Sequence, residues 1–227
     1  MVARRAEGLP LEHVLGWAEF LGVRIAVHPG VFVPRRRTEF LVREAAALLH
    51  RSGRGTRAPA VVVDLCCGSG AVGVGVATIV GAVELHAVDI DPVAVRCALG
   101  NLTPHGGQVY QGDLYQPLPD SIRGRVELLV VNAPYVPTEA VRLMPPEARV
   151  HEPSVALDGG PDGLDVQRRV AAESGRWLAP GGHLVIETSE RQAPETVEAF
   201  ARGGLVPRVA HAEELGATAV IGVKPER

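Results

Sequence analysis

From Ala60 onward, short apolar runs alternate with stretches whose apolar residues recur at helical spacing. The runs are Ala60–Leu65, Val83–Val88, Gln108–Gln111, Val126–Val131, His183–Glu187, Leu205–Val209 and Ala219–Val223. Two of them, Val61-Val62-Val63 and Leu128-Leu129-Val130-Val131, are apolar without alternation, which predicts strands buried on both faces. Strand–helix alternation of this kind predicts a parallel, doubly wound α/β sheet. Helices are expected after Gly70, after Asp91-Pro92 and after Asp165. Asp91 reads as an N-cap and Pro92 as the first helical residue. Leu178-Ala-Pro-Gly-Gly182 reads as a helix end and turn ahead of the next strand.

The first quarter of the chain has a different pattern. Leu11–Leu15 is a short helical stretch, and residues 16–28 read as two short strands around Leu21-Gly22, a hairpin. Pro29-Gly30 turns the chain, and Thr38 to Leu49 has the spacing of an amphipathic helix. His50 to Pro59, rich in Gly and Arg, reads as a linker. The expected organisation is therefore an N-terminal piece, residues 1–57, carrying the hairpin and helix, and a main domain, residues 58–227.

Charge follows the same division. Residues 1–57 hold ten arginines and five glutamates, a balance of +5, whereas residues 58–227 hold thirteen basic and twenty-one acidic side chains, a balance of −8. The main domain thus has no electrostatic footprint for nucleic acid, and no nucleic-acid partner is expected. The longest apolar run, Ala71–Val83, contains three glycines and is too short for a bilayer, so no membrane partner is expected. The basic start is not followed by an apolar segment of the signal-peptide kind. Three cysteines, two of them adjacent, do not make a disulfide framework, which suggests a reduced, cytoplasmic protein. The eight histidines lack metal-ligand spacing, so no metal is expected. Nothing in the chain specifies an oligomeric state.

Candidate chemistry begins where the first main-domain strand ends, at Asp64-Leu-Cys-Cys-Gly-Ser-Gly70. Glycines at 68 and 70 let the backbone approach a ligand, and helix N–H groups follow. Gly68-x-Gly70-x-x-Gly73 also fits a dinucleotide fingerprint, with Asp89 placed to hold a ribose. Asp64 weighs against a dinucleotide. A carboxylate four residues before Gly68 suits an ammonium group, directly or through water, and a pyrophosphate has no use for it.

The second candidate is Asn132-Ala-Pro-Tyr135, directly after the buried strand Leu128–Val131 and so at the carboxyl edge of the sheet, where open α/β folds bind ligands. This tetrapeptide suits a planar nitrogen acceptor. An amide or aromatic amine has a delocalised lone pair, and two acceptors are needed to hold its N–H bonds. Asn132 Oδ1 can supply one and the Ala133 carbonyl the other, aiming the π-face of the nitrogen at an electrophilic carbon. Tyr135 can stack on the planar group and exclude water. As a bare tetrapeptide it could equally be a loop turn.

Asp64–Gly70, Val88-Asp-Ile-Asp-Pro92, Gly112-Asp-Leu114 and Asn132–Tyr135 together resemble class I S-adenosylmethionine-dependent methyltransferases with an N/D-P-P-Y motif. More closely, they resemble the protein-(glutamine-N5) methyltransferases that modify peptide chain release factors. The resemblance extends through Leu9–Gly16, Glu19-Phe20, Gly30–Arg35 and Thr38-Glu39, and through the long loop His151–Asp165, so that it runs from about residue 9 to the C-terminus. It implies a Rossmann-like, seven-stranded, mostly parallel methyltransferase sheet with an N-terminal β-hairpin and helix, and S-adenosyl-L-methionine as cofactor. By resemblance, Cys66, Cys67, Gly68, Ser69 and Gly70 would wrap the cofactor's methionine end. Asp89 would hold the ribose hydroxyls, with Ile90 also in the cofactor set, and Asp113 and Leu114 would border the adenine. Asn132 would sit between cofactor and substrate, and Phe32 would wall the substrate pocket together with Ala133, Pro134 and Tyr135.

The chain departs from that pattern in four places. Cys66 stands where the family has a glycine, and Ala133 where it has the first motif proline. Pro34-Arg-Arg-Arg-Thr38 stands where the family reads P-R-P-E-T. The segment before Leu9 would be only a stub of the family's N-terminal helical domain. Cys66 and Cys67 read as small residues filling the turn rather than a redox pair, and Cys97 as packing. His151 is a loop histidine near the candidate site. Arg35–Arg37 could bind an acidic substrate or be a solvated charge run.

The leading expectation is methyl transfer to the side-chain amide nitrogen of a glutamine in a protein, with a release factor as the implied partner. The alternative is transfer to an exocyclic amine of a nucleic-acid base or to a small-molecule amide. Base flipping would need a basic surface that the main domain lacks. A nicotinamide dehydrogenase leaves Asn132–Tyr135 unexplained. A non-catalytic binding module would be consistent with the changes at Ala133 and Arg37.

Overall fold

The computed structural model describes residues 2–52 and 58–226. Two short helices, α1 (Val2–Ala6) and α2 (Leu11–Leu15), precede a hairpin of β1 (Trp17–Phe20) and β2 (Val23–Ala26). Trp17 pairs with Ala26 and Phe20 with Val23, around Leu21 and Gly22, both at positive φ, as a two-residue turn matching strand twist requires. Helix α3 (Thr38–Ser52) follows, three residues longer than its apolar pattern predicts. His50–Ser52 of the expected linker belong to that helix, and residues 53–57 lie outside the described residues.

The main body runs β3 (Ala60–Leu65), α4 (Ala71–Val80), β4 (Val83–Asp89), α5 (Pro92–Leu102), β5 (Gln108–Gln111), β6 (Val126–Val131), α6 (Thr138–Val141), α7 (Pro146–His151), α8 (Asp165–Trp177), β7 (Leu178–Thr188), α9 (Ala193–Arg202), β8 (Val206–Ala212) and β9 (Ala217–Val223). The seven strands lie in the order β5-β4-β3-β6-β7-β9-β8. The first five are parallel, and β9 runs antiparallel to both β7 and β8. The sheet is doubly wound, seven-stranded and mostly parallel, as expected.

Both faces of β3 are covered. Val62 joins Leu85, Leu128 and Val130 under α3, α4 and α5, while Val61, Val63 and Leu65 join Leu129, Val131 and Ile186 under α8 and α9. Consecutive valines can all be apolar because neither face meets water. Asp91 caps α5 through a 2.8 Å bond from Val93 N, with Pro92 in the first turn. At Leu178–Gly182 the structure differs from the predicted turn. The strand begins at Leu178, opposite Val126, and pairing resumes only at His183 opposite Leu128, so the turn is absorbed as an irregularity within β7. Gly182 sits so close that a Cβ would lie 2.7 Å from Val126 O. No helix among the described residues is long and apolar enough to cross a membrane.

The chain moves outward from β3 through β4 to β5, then returns to the other side of β3 with β6. That reversal leaves a crevice outside the carboxyl ends of β3 and β6.

Candidate active site

A cleft of about 240 Å³ occupies that crevice. Of the sequence-nominated residues, Phe32, Cys66, Cys67, Gly68, Ser69, Asp89, Ile90, Asp113, Leu114, Asn132, Ala133, Pro134 and Tyr135 line it together. Asp64 and Gly70 stand behind the lining.

The turn after β3 is built backbone-first. Cys66, Gly68 and Gly70 all have positive φ, at 56°, 55° and 78°. At Gly70 a Cβ would lie 2.8 Å from Leu102 Cδ1. Cys67 N donates to Val88 O, and Gly68 N donates to Asp89 Oδ2 at 2.8 Å, while Asp89 Oδ1 accepts from Asp91 N. Asp89 therefore fastens the β3 and β4 loops to each other. Burial raises its pKa against the lowering effect of the Asp91 and Gly68 amides. Asn101 of α5 adds a second tie, donating to Ser69 O and to Ala26 O and accepting from Ala26 N, so the hairpin is locked to the glycine turn. Both Cys66 and Cys67 are pushed up as thiols by burial and by the Asp64 and Asp89 charges, which makes them inert packing groups rather than a reactive pair.

Asp64 is 1% exposed. Its Oδ2 accepts from Gly73 N at 2.9 Å, and its Oδ1 is buried without a partner. Burial pushes this carboxyl up to about 7; the Gly73 amide opposes the shift and Asp89 adds to it. A Cβ at Gly73 would sit tightly, 3.1 Å from Leu102 Cδ2 and 3.2 Å from Asp64 Oδ2.

Asn132–Tyr135 leaves the end of β6 and is supported from below by the loop at 158–163. Val136 N donates to Leu157 O, and Gly159 N donates to Val136 O. Gln192 Nε2 donates to both Tyr135 O and Asp162 O. A Cβ on Gly159 would lie 2.6 Å from Pro134 O, and one on Gly163 would lie 2.3 Å from Tyr135 O. The glycines of that loop thus let main chain press on main chain, fixing the tetrapeptide's path. Ala133 and Pro134 are buried, while Asn132 is half-buried and no hydrogen bond among the described residues engages its side chain.

The arginine run resolves into separate roles. Arg35 Nη2 donates to both oxygens of Glu152, at 2.6 and 2.7 Å, and its guanidinium lies 4.9 Å from the Phe32 ring. Glu152 is buried and also accepts from Val33 N, so the segment after α7 is strapped to the loop bearing Phe32. Arg37 pairs with Glu187 at the end of β7. Arg36 is exposed. Two of the three arginines are therefore engaged within the chain. Arg169 of α8, which the sequence pattern did not nominate, reaches across the cleft to Asp113 at 2.6 Å. Glu187 and Arg169 carry no local motif, and within the loop His151–Asp165 nothing marks Glu152 individually; the charges facing them in the fold mark all three.

The chain is similar to known methyltransferases. A family model described as methyltransferase small domain matches residues 22–160. The release factor glutamine methyltransferase of Geobacter sulfurreducens is 37% identical over 98% of this chain and 75% of its own length. The 4-amino-L-phenylalanine/4-methylamino-L-phenylalanine methyltransferase of Streptomyces pristinaespiralis is 38% identical over 89% of this chain and 69% of its own length. Among solved structures, a release factor-specific protein-(glutamine-N5) methyltransferase from Alicyclobacillus acidocaldarius is similar, with a TM-score of 0.50, 25% identity, and coverage of 85% of this chain and 94% of that one.

Proposed function

Because this chain belongs to the release factor glutamine methyltransferase family of S-adenosylmethionine-dependent enzymes, we propose that it methylates the side-chain amide nitrogen of a glutamine in a protein, a peptide chain release factor in particular. The observation that carries the reading is the meeting of Asn132–Tyr135 with the glycine turn in one cleft at the sheet's reversal.

The residues present fit the cofactor. The buried, unpartnered Oδ1 of Asp64 is an acceptor in want of a cation, and an amino-acid ammonium group supplies one, directly or through water. The glycines at 68 and 70, both at positive φ, let the turn's main chain approach a ligand closely, with the small Cys66 side chain in the cleft beside them. Asp89 retains lone pairs on both oxygens beyond its two amide bonds, sufficient for ribose hydroxyls. Exposed Ile90 and buried Leu114 offer apolar surface for a base beside Asp113. When bound, S-adenosylmethionine supplies a methyl group made electrophilic by its sulfonium.

In this reading Asn132 Oδ1 and the Ala133 carbonyl accept the two N–H bonds of the acceptor amide. They turn its π-face toward the donor and favour the positive charge that grows on nitrogen. Ala133 in place of proline keeps the required carbonyl, and the buried path over Gly159 holds it without the ring. Tyr135 and Phe32 form walls that exclude water. The proton shed by the methylated nitrogen passes to solvent. The arylamine-acting relative indicates a second acceptor class, since an aromatic amine presents the same two N–H bonds.

Transfer of labelled methyl to a purified release factor, with mapping of the modified residue, tests the proposal. N5-methylglutamine is the expected product, and Asn132→Ala is expected to lower kcat by roughly 10²-fold while S-adenosylhomocysteine still binds. Label found only in 4-aminophenylalanine or in RNA would overturn the acceptor assignment. Undiminished transfer by Asn132→Ala would overturn the role of the motif.

A further inference from the structure

Tyr135, Arg37 and Glu187 come from three separate parts of the chain and close a ring of hydrogen bonds. Arg37 Nη2 donates to Tyr135 Oη at 2.6 Å, Tyr135 Oη donates to Glu187 Oε1 at 3.2 Å, and Arg37 Nε donates to that same Oε1 at 3.1 Å. The hydroxyl has one proton to give and lone pairs to receive, so a donor on one side and an acceptor on the other satisfy it and fix its orientation. Glu187 is only 3% exposed, and its Oε2 is buried without a partner. A carboxylate in that setting needs the adjacent guanidinium. Arg37 also lines the cleft, its guanidinium 5.8 Å from the Tyr135 ring.

We infer that Arg37 and Glu187 are positioning residues for methyl transfer, holding the Tyr135 ring at the angle at which it walls the acceptor nitrogen. The inference rests on the acceptor site proposed above. It deepens that site by extending it to two side chains that do not themselves touch the reacting atoms. The ring itself is attached at one end by the rigid path over Gly159 and Gly163, and its hydroxyl end is the remaining freedom. Fixing that end places the ring within the narrow tolerance that an oriented transfer requires. The pattern the chain resembles has a glutamate at position 37. A glutamate here would set two carboxylates on one phenol proton, with no donor left for the phenol oxygen and no counter-charge for Glu187. Restoring the family residue in this chain is therefore damaging rather than corrective.

The test measures kcat, acceptor KM and S-adenosylhomocysteine affinity for Arg37→Gln, Arg37→Lys, Arg37→Glu, Glu187→Gln and Tyr135→Phe, with exposed Arg36→Gln as the neighbouring-charge control. The hydroxyl proton of Tyr135 is followed by NMR in tyrosine-labelled protein, assigned by its loss in Tyr135→Phe. Expected are falls in kcat of about tenfold or more in Arg37→Gln and Glu187→Gln, with acceptor KM and nucleoside affinity changed by less than about threefold. Arg37→Lys should recover part of the rate, Arg37→Glu should be the slowest, and Arg36→Gln should match wild type. Combining Arg37→Gln with Tyr135→Phe should cost little more than either alone, because both remove one constraint. Additive losses, a parallel loss of nucleoside affinity, or an equal effect from Arg36→Gln would overturn the inference. If the wild type methylates no glutamine, the acceptor proposal has failed by itself. The NMR signal still decides the positioning claim: it should vanish in Arg37→Gln, and its persistence would refute the restraint.

Discussion

The buried carboxyl of Asp64 couples pH to both stability and ligand binding, with opposite signs. In the free protein its pKa is pushed up to about 7, chiefly by burial, against about 3.9 in an unfolded chain. Between those values the folded state holds a proton that the unfolded state has released. Stability from this group is therefore greatest at low pH and falls as pH rises toward 7, levelling off above it. Between pH 5.5 and 8.5 the loss is about 2 kcal/mol, from roughly 1.5 pH units at 1.36 kcal/mol each. Asp64→Asn retains an oxygen for Gly73 N and has no charge to bury, so urea unfolding of the two proteins should show the wild type losing that amount relative to the variant over this range. Binding runs the other way. A ligand carrying an ammonium group requires the ionised form, so wild-type affinity for S-adenosylhomocysteine should fall about thirtyfold from pH 8 to pH 5.5, with a proton released on binding at the low end. The variant should bind weakly and without this pH dependence. Calorimetry in buffers of different ionisation enthalpy reads both the affinity and the proton. A stability difference that stays flat with pH, together with pH-independent affinity, would show that Asp64 is ionised throughout and does not meet the ammonium.

Three further outcomes follow from the loop geometry. Cys66→Gly relieves a left-handed backbone at φ 56° and should raise stability by about 1 kcal/mol in chemical unfolding. Gly70→Ala places a Cβ 2.8 Å from Leu102 Cδ1 at φ 78° and should cost about 1–3 kcal/mol, with nucleoside affinity falling as the turn shifts. Arg35→Gln removes the charged partner of buried Glu152, whose Oε1 keeps the bond from Val33 N, and should cost about 2–3 kcal/mol. It should also speed amide hydrogen exchange selectively in residues 146–158, which the strap holds against the Phe32 loop.

Much of this protein could be read directly from its chain. The strands of the sheet, the capped start of α5, the hairpin at Leu21-Gly22, the glycine turn and Asn132–Tyr135 are all set by neighbours a few residues away. Backbone period, φ preference and capping act at that range, so they leave a local pattern. The segment 178–182 shows where such signals stop: its Pro-Gly-Gly reads as a turn, yet pairing of Leu178 with Val126 draws it into β7. The pairings of the charged groups around the cleft lie beyond local reading. Arg35 meets Glu152, Arg37 meets Glu187 and Arg169 meets Asp113 across separations of 117, 150 and 56 residues. Asp113 and the run Arg35–Arg37 stand out in the chain, but nothing in it names the partner that any of these charges meets. Only folding brings them together and removes water from one side, and it is that desolvation, together with the partner across the gap, that turns a solvated arginine into a strap, a brace for a tyrosine or the far wall of a cleft.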